Sequence, residues 1–290
     1  METADLRTLV AIVEQGGVIR AAETLNRVPS AVTTRVKQME EKLGVKLFIR
    51  EHRKMSMTHE GKTLYEHAVK ILDLTDQAVS LVRLARPGGK FRLGAMDSMA
   101  STRLPEPLAE MYRRYPEMEL ELTTGISRFL LDSLDDNSLD AAFIADAPHD
   151  ARFERATAFN EELVIIGPAD QPLIRVPQDI RSKTVLTFRD GCSYRGRLVS
   201  WYRKHGLEPV RIASMSSYPV ILGAVAAGMG IGIVPAPILE SFLLRNTITE
   251  HRIAGMENVV TELLWRTGRL SPNIRGLFEL LQIEYPPRQY

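Results

Sequence analysis

The sequence predicts an α/β protein with an all-α-rich N-terminal domain, a long linker helix and a two-lobed α/β body. Three observations carry this. Residues 20–43, RAAETLNRVPSAVTTRVKQMEEKL, read as two short helices around a tight turn. Residues 58–86 read as one helix carrying a heptad of apolar and small side chains. After Pro87-Gly88-Gly89 the pattern changes to short apolar strands alternating with helices.

Composition narrows the function classes. The 290 residues exceed one ordinary domain, and a 44% apolar content is ample for real cores. The net charge of +1 is unevenly spread: residues 1–90 hold 15 Lys and Arg against 11 Asp and Glu, and the remainder 22 against 25. A basic front and an acidic rear suggest a nucleic-acid segment joined to something else. Cys192 is the only cysteine, so no intrachain disulfide framework exists. No apolar run reaches membrane-spanning length, and METADLRTLV lacks a cationic start with an apolar core. A cytoplasmic protein with no membrane partner is expected. No His/Cys/carboxylate cluster has metal spacing and no Ser-centred nucleophile motif appears, so no metal, no cofactor and no catalytic residue is expected. GMGIG at 228–232 follows a helix and precedes a strand, the reverse of the dinucleotide fingerprint, and Gly228 reads more simply as a helix end.

The head begins with a helix over 6–15, its face made by Leu6, Leu9, Val10 and Val13, and Gly16-Gly17 ends it. The next helix offers Ala21, Ala22 and Leu25 for close crossing. Asn26 to Pro29 make the turn, with Pro29 or Ser30 as the first residue of the second helix. That helix has two unlike faces. Val32, Val36, Met39 and Leu43 form a stripe to be buried, while Ser30, Thr33, Thr34 and Lys37 lie opposite. Such a front suits the major groove of DNA. An ordinary amphipathic pair with a solvated face is the competing reading. VKLFIREHRKMSMT then reads as a two-stranded wing, with Val45, Leu47 and Phe48 packing inward and Arg50, His52, Arg53 and Lys54 placed for phosphates or for the minor groove. A solvated basic loop is the alternative there.

Thr58 is a helix cap, and the helix to Arg86 carries Leu64, Ala68, Ile71, Thr75, Ala78, Val82 and Ala85 in heptad order beside a lane of Tyr65, Leu72 and Val79. A stripe this narrow needs a partner helix, either the same segment of a second chain or the helix's own domain. Beyond the Pro-Gly-Gly hinge, strands are expected at 91–95, 118–124, 141–145, 163–166, 185–188, 209–213, 230–235 and 261–265. Helices are expected at 101–115, 127–134, 194–205, 219–227 and 272–283. This alternation implies open, mostly parallel sheets with a ligand site outside their carboxyl ends.

The residues now on the page resemble the LysR-type transcriptional regulator family. Its marks are Ala21-Ala22, Ala31-Val32-Thr33, Glu40-Glu41-Lys42-Leu43-Gly44, Leu47-Phe48-Ile49-Arg50 and Thr58-His59-Glu60-Gly61. LPEPLAEMYRRYP, LDAAFIA and AAGMGIGIVP continue the likeness over nearly the whole chain. The resemblance implies a winged helix-turn-helix, a dimerising linker helix and a two-lobed α/β effector domain resembling type 2 periplasmic binding proteins. The implied boundaries are 1–58 for the DNA-binding domain, 59–86 for the linker helix and 87–90 for a hinge. Lobe I takes 91–161 and 267–290, and lobe II takes 162–266, with chain crossings near 160–163 and 265–268. Implied partners are double-stranded DNA, a small-molecule effector, RNA polymerase if the protein activates, and further copies in a homodimer or homotetramer.

Two departures stand out. Val28-Pro29-Ser30 replaces the family's usual Ser-Gln-Pro, and Thr34 stands where many relatives carry Arg. Candidate DNA-binding residues are Pro29, Ser30, Thr33, Thr34, Lys37, Arg50, Arg53 and Lys54. The resemblance places the effector between the lobes, near Ser98, Met99, Ser101, Thr102, Thr124, Ile126, Ser127, Cys192, Ser193, Tyr194 and Ser216. Free amides at the helix starts there favour an anionic or polar metabolite, although each hydroxyl equally suits a simple helix cap. Cys192 reads as a pocket or packing residue, with a redox sensor as the alternative. The competing function is a solute-binding protein, or a related enzyme, with an appended helical domain.

Overall fold

A computed structural model describes residues 1–51, 54–82 and 86–284. The chain divides into two compact units, 1–85 and 86–290.

The first unit contains α1 (Thr3–Glu14), α2 (Val18–Thr24), α3 (Pro29–Leu43), β1 (Phe48–Glu51), β2 (Lys54–Met57) and α4 (His59–Val82). Asn26 makes the α2–α3 turn in the left-handed region at φ 51°, a conformation that Asn tolerates better than most residues. Its neighbour closes the end of α2, Arg27 N donating to Ala22 O at 2.8 Å. Two small cores result. Ala11, Ile12, Ala21, Ala22, Val32 and Val36 form one, and Leu6, Leu9, Met39, Leu47, Ala68 and Leu72 the other. The expected stripe on α3 is therefore buried as far as Glu40. Leu43, in the last turn, is exposed, and so is Val45 just past the helix end. β1 and β2 pair antiparallel, so the wing is a true hairpin.

The two lanes of α4 do not separate as the heptad suggests. Ala68 from one and Leu72 from the other are buried against α1, and Asp76 accepts from Arg7 Nη2 at 2.8 Å. Ile71, Leu74 and Val79 stay exposed within the chain. The start of α4 is fixed by Thr58, whose N–H donates to Leu47 O (3.0 Å), whose hydroxyl donates to Lys46 O (2.7 Å) and accepts from Gly61 N (2.9 Å). This brings Gly61 so close to the wing that an added Cβ would lie 2.1 Å from Leu47 O.

The second unit runs β3 (Gly89–Ala95), α5 (Asp97–Thr102), α6 (Pro105–Arg114), β4 (Met118–Thr124), α7 (Ser127–Asp135), β5 (Ala141–Ala145) and β6 (Phe153–Glu161). It continues with β7 (Leu163–Pro168), β8 (Thr184–Thr187), α8 (Ser193–Lys204), β9 (Arg211–Ser214), α9 (Tyr218–Ala226), β10 (Ile231–Pro235) and α10 (Ala236–Glu240). β11 (Ile248–His251), β12 (Val259–Arg266) and α11 (Pro272–Leu281) complete it. Lobe I holds a sheet in the order β4-β3-β5-β12-β6, and lobe II one in the order β11-β7-β10-β8-β9.

Each sheet is half parallel, not mostly parallel. β3 runs parallel to β4 and β5, and β8 parallel to β9 and β10. β12 runs antiparallel to β5 and β6, and β7 antiparallel to β10 and β11. The antiparallel strands are those that arrive from the other lobe. The first crossing is at Glu162. The second lies between β11 and β12, at 252–258, rather than at the expected 265–268. Val259–Arg266 is thus a lobe I strand, and the boundary expected at 266 moves back accordingly. Alternation along VVTELLWR marks a strand but carries no information about which sheet it joins.

Other expectations also need correction. The helix expected at 101–115 is two, α5 and α6, broken before Pro105, which disfavours a helical residue ahead of it. β6, β11 and α10 had no counterpart among the expected elements. The expected hinge at 87–90 is largely pinned: Gly89 and Lys90 belong to β3, and Gly88 exchanges two hydrogen bonds with the Asn273 side chain, at 2.8 and 3.1 Å.

Gly61→Ala is expected to destabilise the head by about 1–3 kcal/mol, the usual cost of forcing an atom into packed structure. A drop in Tm on thermal denaturation of the full chain checks this, and an unchanged Tm would contradict the Leu47 contact.

Candidate functional site

The α3 face expected to meet DNA is available. Pro29 is the first helical residue, after an extended Val28. Pro29, Ser30, Thr34 and Lys37 are exposed and Thr33 is half-buried. Thr33 Oγ1 donates to Pro29 O at 2.9 Å, so its donor is already engaged and only its acceptor capacity faces outward. Arg53 and the side chains of Arg50 and Lys54 lie outside the described residues.

A residue absent from the candidates organises this surface. Glu40 sits on the buried side of α3, and its carboxylate accepts from Lys46 Nζ (2.7 Å), Leu47 N (2.9 Å) and Phe48 N (3.3 Å). Burial alone would raise its pKa, but the Lys46 ammonium and the two amides outweigh burial and bring it below the ordinary value of 4.5. Glu40 thereby ties the recognition helix to the entry of the wing. The available signal was a carboxylate four residues after Val36, on an otherwise apolar stripe.

In the second unit, the lobes meet through specific contacts. Arg197 on α8 forms a two-bonded pair with Asp146 after β5, both bonds at 2.5 Å. Arg128 N, at the start of α7, donates to Gly191 O at 3.3 Å. Ser127 and Ser193, one from each lobe, both direct their hydroxyls at Met96 Sδ, at 3.5 and 3.9 Å. Ile126 packs against the lobe II core. An open cleft of about 680 Å³ lies alongside, bordered by Ser127, Asp146, Cys192 and Ser193.

Beneath this seam lie four buried polar atoms without a hydrogen-bond partner among the described residues: Ser98 Oγ, Glu161 Oε2, Tyr194 OH and Thr261 Oγ1. Ser98 is in α5, just past the carboxyl end of β3, and Glu161 ends β6 beside the first crossing. Tyr194 is in the first turn of α8, and Thr261 pairs with Ala145 at the carboxyl end of β5. The other Glu161 oxygen accepts from Arg103 Nε at 2.9 Å. Buried polar groups are nearly always paired, so these exceptions stand apart from the rest of the second unit.

The head, residues 3–62, matches the family model described as bacterial regulatory helix-turn-helix protein, lysR family, and residues 85–285 match the LysR substrate binding domain. The chain belongs to the LysR family of transcriptional regulators. The uncharacterized HTH-type transcriptional regulator YusT of Bacillus subtilis (strain 168) is 36% identical over 268 residues, covering 92% of this chain and 90% of its own. SoxR of Arthrobacter sp. (strain TE1826), also an HTH-type transcriptional regulator, is 35% identical over 263 residues, covering 90% and 89%. OxyR of Corynebacterium glutamicum shares the fold at a TM-score of 0.67 and 23% identity, over 97% of this chain and 91% of its own. Full-length CbnR, solved in complex with its target DNA, does so at 0.65 and 22%, over 97% and 99%. As a LysR-type regulator, the protein binds DNA through its head and an effector through its second unit.

The expected effector residues of this regulator fall into distinct groups. Ser98, Ser127, Cys192, Ser193 and Tyr194 converge on the seam together with Ile126. Met99 is fully buried in the lobe I core. Ser101 Oγ donates to Asp97 O at 2.8 Å and Thr102 Oγ1 to Ser98 O at 2.6 Å, so both hydroxyls are spent on their own helix. Thr124 and Ser216 are exposed. Burial pushes the Cys192 thiol pKa up, which disfavours the reactive thiolate. Glu161, Arg103 and Thr261 were not among the candidates. Nothing in FNEELVII distinguishes buried Glu161 from Glu162, which pairs with Arg252 at the surface.

Because the folded pKa of Glu40 is depressed, its contribution to stability is present above about 4.5 and is lost as pH falls below that value. Glu40→Gln should therefore flatten the loss of Tm on acidification below this pH. Parallel acid titrations of the two proteins by circular dichroism measure it, and identical slopes would remove Glu40 from this role.

Proposed function

We propose that this regulator reads double-stranded DNA with Ser30, Thr34 and Lys37 at the front of α3. Thr33 serves as an acceptor, Pro29 sets the start of the helix, and Arg50, Arg53 and Lys54 of the wing lie on phosphates. A small-molecule effector bound at the seam between the lobes controls this reading, contacting Ser98, Ser127, Cys192, Ser193 and Tyr194. The observation that supports the effector site is the gathering of Ser98, Glu161 and Thr261 at the carboxyl ends of the lobe I strands, with Tyr194 of lobe II beside Ser98. Ligands of open α/β sheets bind at such ends.

Ile71, Leu74 and Val79 give α4 an apolar face left uncovered among the described residues, which supports pairing with the same helix of a second chain as a homodimer, the unit from which a homotetramer can form. The proposed setting is the cytoplasm, with RNA polymerase as a further partner where the regulator activates.

Gel shifts on the DNA upstream of the regulator's own gene test the reading. Binding should weaken with added salt, and Lys37→Ala should reduce the salt slope by about 1 while weakening all sequences alike. Ser30→Ala should cost about 0.5–1.5 kcal/mol on the operator, the worth of one hydrogen bond, and little on unrelated DNA. Thr33→Ala, whose hydroxyl already serves the helix, should cost less than Ser30→Ala. If neither Ser30→Ala nor Lys37→Ala changes binding, α3 is not the reading element. Leu74→Glu should shift the protein toward monomer in sedimentation equilibrium.

A further inference from the structure

We propose that the seam takes a small effector that presents hydrogen-bond donors, an ammonium or hydroxyl compound rather than a carboxylate, with Glu161 Oε2 as its acceptor and Ser98 and Tyr194 bonding its polar end. This rests on the seam being the effector site and names the chemistry that site accepts.

The first support is the set of unpaired atoms. Ser98, Glu161 and Tyr194 are at most 2% exposed; Glu161 Oε2 has no partner among the described residues, and the Ser98 hydroxyl lies beside those of Tyr194 and Tyr218 without a well-formed hydrogen bond to either. Leaving such a group unpaired is unfavourable, and a complementary ligand recovers that cost. A carboxylate only accepts, so the free Glu161 oxygen calls for a donor. Tyr194 is held protonated by burial, its pKa raised, and serves as a neutral hydroxyl. Tyr218, fully enclosed and stacked edge-on against Phe188 at 4.9 Å, adds an apolar wall that also suits a cation.

The second support is charge. Asp97, the first residue of α5, has no ion-pair partner among the described residues, and its charge acts on Cys192 and Tyr218. The neighbouring guanidiniums are engaged: Arg103 with Glu161, Arg197 with Asp146, and Arg195 with Phe188 O and Ser214 Oγ. An entering anion would meet the carboxylates of Asp97 and Glu161, with these three guanidiniums already engaged. The hydroxyls of Ser101 and Thr102 offer it nothing, since both are turned back into α5. An ammonium or hydroxyl donor meets Asp97 and Glu161 favourably.

The test uses the full chain in thermal shift and calorimetry. Ethanolamine, putrescine and agmatine are compared with succinate, 2-oxoglutarate and benzoate, on the wild type and on Ser98→Ala, Tyr194→Phe and Glu161→Gln. At least one amine should raise the wild-type Tm and bind tenfold or more weakly to Ser98→Ala and Glu161→Gln, while the carboxylates give no shift. Without any probe, Tyr194→Phe should leave Tm unchanged or raised, because it removes a buried hydroxyl that makes no well-formed hydrogen bond. That readout stands even if Glu161→Gln fails to fold. No shift from any amine, or a lowered Tm for Tyr194→Phe, overturns the proposal. A carboxylate shift abolished by Ser98→Ala overturns the donor class but keeps the seam as the effector site. Shifts that no variant alters overturn the seam itself.

Discussion

The double passage of the chain between the lobes of the second unit sets the terms for everything at their seam. β7 follows β6 with only Glu162 between them, and β12 returns to lobe I after β11, so each lobe's sheet includes a strand delivered from its neighbour. Those strands run against the local parallel set, and the carboxyl ends of β3 and β5 face the junction. The apolar core continues through it, with Tyr194, Leu198, Ile165 and Val185 in one cluster with Leu263 and Trp265. The seam is thus sealed by apolar packing, and polar side chains trapped in it must find partners there or go without.

Two buried carboxylates show the difference this makes. Glu40 has three donors, two of them backbone amides, and therefore fixes the wing relative to α3 as rigidly as a stretch of secondary structure would. Glu161 has one donor on one oxygen. A satisfied buried carboxylate contributes order, whereas a half-satisfied one stores unfavourable free energy that a bound molecule can release. The head and the second unit use the same residue type in opposite ways, one fully bonded and the other bonded on a single oxygen.

Much of this was legible in the chain, and the boundary of legibility is physical. The faces of α3, the Asn26 turn, the wing and the Thr58 cap were readable because their causes lie within a few residues. Ala21 and Ala22 announced a close crossing, and the crossing is there. Strand partners were not readable: β12 looked like any half-buried strand, and its placement in lobe I depends on neighbours more than a hundred residues away in β5 and β6. Ser101 and Thr102 looked like ligand groups because a sequence does not reveal which way a hydroxyl turns. Glu161 and Glu162 are chemically identical neighbours, and only the reversal of side-chain direction along an extended chain buries one and exposes the other.

Gly191 holds a consequence of its own. It sits at φ +90°, with Arg128 and Ile126 of the facing lobe so near that a Cβ would lie 3.0 and 3.2 Å from their side chains. The spacing between the lobes at that point is therefore set by the absence of a methyl group. Any larger residue there would act as a wedge, biasing the lobes apart by sterics alone and uncoupling their separation from whatever molecule normally governs it. A single added methyl group at this turn would in this way set the separation of the lobes by itself.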